Sequence, residues 1–60
     1  MKWKNVRKEK PDLLEWVIVR CPDFCESGFE ICQYNGEGVF TSQANGSDCG
    51  EYVREWAQLD

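Results

Sequence analysis

Four cysteines, Cys21, Cys25, Cys32 and Cys49, are the side chains of this 60-residue chain best equipped for chemistry. They are spaced C-x3-C-x6-C-x16-C. Four thiolates can close a tetrahedral zinc site, and zinc would stabilise so small a domain. Structural zinc sites usually carry paired C-x2-C knuckles, however, and only Cys21 and Cys25 come close to one. Two disulfides are a second arrangement, which needs an oxidising compartment. Free thiols are the third, and Cys32 suits that reading as a small hydrophobe in mid-strand. Spacing and compartment favour free thiols, with no bound cofactor. Zinc held by Cys21, Cys25, Cys32 and Cys49 is the alternative.

The chain has no histidine. That removes the usual general base and most catalytic zinc sets. A cysteine nucleophile needs a partner that lowers its pKa, and the sequence offers none. Glu51 and Glu55 could sit near each other, but ten acids among the last fifty residues make such proximity expected by chance. Gly36 and Gly38 belong to a turn between strands, so they are no phosphate loop. These residues point away from an enzyme.

The aromatic residues are the next candidates. Trp3, Trp16 and Trp56 come from both ends and the middle of the chain. A shared core cluster is what a small domain needs, because a chain of this size buries only about 60% of its unfolded surface. The functional reading makes Trp3, Trp16, Trp56 and Tyr52 an interaction surface for a partner. Tryptophan is rarely buried completely, so at least one of the three is expected to stay part-exposed.

Charge divides the chain. Residues 1–10 hold Lys2, Lys4, Arg7, Lys8 and Lys10 against Glu9, a surplus of four positive charges. The rest hold Arg20 and Arg54 against ten acids, a surplus of eight negative charges. An acidic body repels a phosphate backbone. Weak nucleic-acid binding through the basic 1–10 arm is therefore a lesser alternative to a solvated terminal segment. No stretch approaches the roughly 18 apolar residues of a membrane span. No signal peptide is visible before Pro11-Asp12, and a cytoplasmic location is expected.

The elements that must position these residues begin with Glu15-Trp16-Val17-Ile18-Val19-Arg20. Its β-branched run predicts a strand, and Pro11 and Cys21-Pro22 leave too little room for a helix. Trp16, Ile18 and Arg20 share one face, and Glu15, Val17 and Val19 the other. Neither face is wholly polar, which suits a central strand with neighbours on both edges. Residues 21–28 read as a loop. Phe29–Tyr34 alternates and reads as a second strand. Asn35-Gly36 predicts a tight hairpin into a short third strand at Val39–Thr41. Residues 42–50 form a polar loop. Residues 51–60 fit a helix with Tyr52, Val53, Trp56 and Leu59 on one face, or a strand, and periodicity alone slightly favours the helix.

Trp3, Val6, Pro11, the run Trp16-Val17-Ile18-Val19, the strand Ile31-Cys32-Gln33-Tyr34, Phe40 and the closing Val53-Arg54-Glu55-Trp56-Ala57-Gln58-Leu59-Asp60 together resemble the DUF551 family. These are small proteins of phages, prophages and bacterial genomes. The likeness spans nearly the whole chain through short, degenerate elements. It departs at the closing segment, where Glu55, Ala57, Gln58 and Asp60 replace the usual His, Met and Pro. It departs also in the four cysteines and in the length of the 21–28 loop. The family carries no established activity. The resemblance implies a small antiparallel sheet that ends on a strand, which turns the expectation for residues 51–60 to strand.

The expectation is one mainly β domain over residues 1–60, an antiparallel sheet of three to four strands, with a small α+β arrangement as the other form. Its expected role is that of a non-enzymatic accessory module that binds another protein, with a homodimer left open.

Overall fold

Val17, Ile18 and Val19 favour extended backbone, and the strand they build occupies the middle of a sheet. The computed structural model describes residues 2–59. It holds β1 (Lys4–Asn5), β2 (Trp16–Arg20), β3 (Phe29–Tyr34), β4 (Phe40–Ser42) and β5 (Glu55–Gln58). All pairings are antiparallel, in the spatial order β1-β5-β2-β3-β4. β2 therefore has neighbours on both edges, as its two apolar faces require. The fold is the mainly β antiparallel sheet expected. Its fifth strand is the short β1, at the edge.

Residues 51–60 were the ambiguous stretch. Of these, Glu55–Gln58 forms a strand, and Gly50–Tyr52 forms a single 3-10 turn. That turn is the sole helical element among the described residues. The strand wins over the helix because β5 inserts between β1 and β2, pairing Val19 with Trp56 and Ile18 with Ala57.

The β3–β4 hairpin exists, but its turn is wider than Asn35-Gly36 predicts. Tyr34 pairs with Phe40, leaving residues 35–39 as the connection. Positive φ falls on Gly36, Glu37 and Gly38, and not on Asn35. Asn35 instead accepts a hydrogen bond from the Thr41 hydroxyl. β4 begins at Phe40 rather than Val39. The polar loop is also shorter than 42–50: Ser42 is buried in β4, Cys49 is buried, and Asp48 bridges back to Thr41.

One face of the sheet carries the core. Val17, Val19, Cys21, Cys32, Tyr34, Phe40, Cys49, Val53 and Trp56 are buried together, with Val6, Phe24 and Cys25 packed against them. Among the described residues no second sheet or long helix covers this layer. Val6, Phe24, Cys25, Cys49 and Val53 come from connecting segments, so the loops themselves form the lid. The basic N-terminal segment is folded onto it. The Val6 amide donates to Arg54 O at 3.2 Å, the Trp56 indole donates to Glu9 O at 2.9 Å, and Pro11 is buried. Lys4 sits over the Trp56 ring, 4.8 Å from its centroid. Residues 1–10 are thus part of the domain from Lys4 onward and do not form a free arm.

Candidate functional site

Residues directly opposite in an antiparallel pair point to the same side. The register thus maps the face away from the core. Ala57, Ile18 and Ile31 form one row across β5, β2 and β3. Trp16, Gln33 and Thr41 form a second row across β2, β3 and β4. Glu55, Arg20 and Phe29 form a third. Lys4 stands opposite Trp56 on the core side, so Trp3, one residue away, falls on the open side.

Trp3 lies across this face. Its ring centroid is 5.8 Å from that of Phe29, on β3, although Trp3 leads into β1 at the edge. The two side chains together therefore bridge the width that β5 and β2 occupy between their strands. Ala57, opposite Ile18 on this face, is completely covered although it has no large side chain of its own. The result is an apolar strip of Trp3, Ile18, Ile31, Phe29 and Trp16. Phe29 is 46% exposed and Trp16 44%. The strip is bordered at one end by the Arg20–Glu55 ion pair at 2.8 Å.

The four aromatic residues singled out in the sequence do not form one surface. Trp3 and Trp16 share the open face. Trp56 is a core residue, 3% exposed, on the opposite side. Tyr52 lies at the rim of the loop layer, its ring 5.6 Å from Phe24. It helps line a groove of about 440 Å³ with Asn5, Arg7, Asp23, Glu51 and Arg54, where Arg54 pairs with Asp23 at 3.0 Å. A shared core of three tryptophans is likewise not what forms, since Trp56 alone is inside. Sequence alternation missed Phe29, Ile18 and Ile31 as surface candidates. The signal lay in the alternation of β2 and β3, whose outward positions are apolar where a solvated face is usually polar.

The four cysteines gather in one region of the core, where Cys21, Cys32 and Cys49 share the buried cluster and Cys25 packs against it. Cys32 and Cys49 touch, with their sulfurs 3.1 Å apart, and both are fully buried. Cys21 is buried beside Cys25, with the turn between them closed by Phe24 N donating to Cys21 O at 3.0 Å. Burial pushes the Cys21 thiol up to about 12, and the neighbouring Cys25 adds to it. Burial also raises the thiols of Cys32 and Cys49. Cys25 is the exception. It is part-exposed, and the Ser27 hydroxyl, 3.4 Å away, holds its thiol below the ordinary value. Among the described residues no three Cys, Asp or Glu side chains converge as a metal-ligand set.

No protein-family model, no curated protein and no solved structure matches this chain.

Proposed function

We propose that the chain is a small non-enzymatic module that binds another protein through the open face of its sheet. The observation that carries this reading is the apolar strip of Trp3, Trp16, Ile18, Phe29 and Ile31 on the side of the sheet that faces solvent. Scattered exposed apolar residues need no explanation, but a contiguous strip of this kind marks an interaction site. Its aromatic content suits a protein partner, whose contacts concentrate on such anchors. The sheet edges suit this less. β1 and β4 are two and three residues long, and Asp48 already bridges to β4. Short, covered edges are poor templates for strand addition.

The partner surface is apolar at its centre and tolerant of acidic surroundings, since the chain carries a net charge of −4. Affinity is therefore expected to change little with salt. The role is that of an accessory protein of phage or prophage type acting in the cytoplasm, a setting supported by the resemblance. DUF551 proteins supply no activity to transfer, so the binding reading stands on this chain's own surface.

A photo-crosslinking phenylalanine analogue placed at position 16, on the strip, and at position 51, on the loop side, tests the reading in native cells. A discrete protein adduct is expected from position 16 and not from position 51. Equal adducts from both positions, or none from 16, would end it. A self-adduct from position 16 would identify a second copy as the partner.

A further inference from the structure

Cys32 and Cys49 are seventeen residues apart in sequence and in contact in space. Each is held in place by its backbone. Cys32 sits in the middle of β3, between Val17 of β2 and Ser42 of β4. Cys49 donates its amide to Phe40 O at 2.9 Å and lies just past the Thr41–Asp48 bridge. Both side chains enter the same buried layer. Most buried cysteines stand alone as small hydrophobes. Two that meet inside a rigid layer are one two-electron step from a crosslink.

We propose that Cys32 and Cys49 form a reversible disulfide, closed by exchange with a small-molecule disulfide of the glutathione type. The segment 43–50 lies outside the strands, and such a segment opens locally more easily than a central strand. Opening exposes Cys49 while Cys32 stays fixed. The Cys49 thiolate attacks one sulfur of the external disulfide, forming a mixed disulfide and releasing one thiolate. When the segment closes, the Cys32 thiolate attacks the Cys49 sulfur. The protein disulfide forms, and the second external thiolate leaves. The two protons lost by the cysteines end on the two released thiols. The protein is oxidised by two electrons and the external disulfide is reduced to two thiols. Burial holds both thiols in the protonated form, so closure is slow at neutral pH and faster in base.

The bond would tie the segment 43–49 to β3. It would also restrict the unfolded chain by closing a loop between positions 32 and 49, which stabilises the folded state. The competing pair is Cys21 with Cys25, where the accessible Cys25 offers the easier first attack.

The test uses the full chain, reduced and then equilibrated with oxidised glutathione. Remaining thiols are alkylated, and a glutamate-specific protease cuts after Glu30, Glu37 and Glu51, placing Cys32 and Cys49 on different peptides. The expected product lacks two hydrogens, carries alkylated Cys21 and Cys25, and joins the Cys32 peptide to the Cys49 peptide. Its Tm rises by roughly 10 °C and falls back on reduction. This mapping needs no substitution, so it holds even if Cys32→Ala or Cys49→Ala does not fold. Where those variants fold, each abolishes the crosslink and the rise in Tm. A crosslink between Cys21 and Cys25, a stable glutathione adduct on Cys25 alone, or thiols that react only after a chelator strips bound zinc would each overturn the proposal.

Discussion

At the scale of single residues, Gly50 shows how closely two connections are packed. A Cβ placed there would lie 1.9 Å from the carbonyl oxygen of Gly38 and 3.0 Å from Asp48 Oδ1. The first obstacle is backbone, within the turn that joins β3 to β4, and cannot rotate away. Gly50→Ala must therefore push the 3-10 turn off the hairpin. Overpacking of this kind costs about 1–3 kcal/mol, out of the roughly 3–9 kcal/mol expected for a domain of this length. A urea midpoint lowered by that amount is the expected result. An unchanged midpoint would show that the two turns are not in contact. Leu14 is the opposite case, a residue whose identity its own backbone does not favour. Its φ of 67° is in the left-handed region, and its amide donates to Tyr34 O at 2.7 Å, extending the β2–β3 ladder. Neither feature has a signature in composition or alternation.

At the scale of elements, alternation located the strands but not the side that would be covered. β2 presents Val17 and Val19 on one face and Trp16 and Ile18 on the other, and both sets are apolar. The choice is made by Val6, Phe24, Cys49 and Val53, which come from connections distant in sequence. For the same reason Trp56 went inside while Trp3 and Trp16 stayed out. The Asn35-Gly36 signal placed the hairpin correctly and missed its width, because Tyr34 pairs with Phe40 and Gly38 supplies another positive φ. The contact of Cys32 with Cys49 was out of reach of spacing arguments. It depends on β4 folding back on β3 and on Asp48 bridging to Thr41. Trp3 gives the element scale its prediction. Its indole meets Phe29 and so couples the segment leading into the edge strand β1 to β3. Trp3→Ala should cost roughly 1–2 kcal/mol and speed hydrogen exchange at the Val6 amide, which holds β1 to Arg54 O. If exchange at Val6 does not change, the ring is not what holds the edge.

At the scale of the whole molecule, the buried thiols couple the fold to pH. Cys21, Cys32 and Cys49 are all raised above the ordinary thiol value of 9.0, chiefly by burial. The folded chain keeps these protons at a pH where the unfolded chain releases them. Their contribution is fully present below pH 9 and is lost as pH rises toward their folded values. Where the native state binds more protons, stability must fall with pH. Each such thiol contributes a slope of about 1.4 kcal/mol per pH unit. Cys25 runs the other way, but it is solvent-accessible and adds little. Urea denaturation between about pH 7 and pH 10 should therefore show a flat region followed by a steep loss that begins near the thiol range. Tyrosine and lysine begin to titrate at the upper end of this window, so the slope alone does not identify its source. Cys21→Ala separates them, because it removes one buried thiol and leaves every tyrosine and lysine in place. The variant should lose about one thiol's share of the slope while keeping the flat region. An unaltered slope would assign the alkaline loss to the other groups and remove the thiols from the balance that holds the fold.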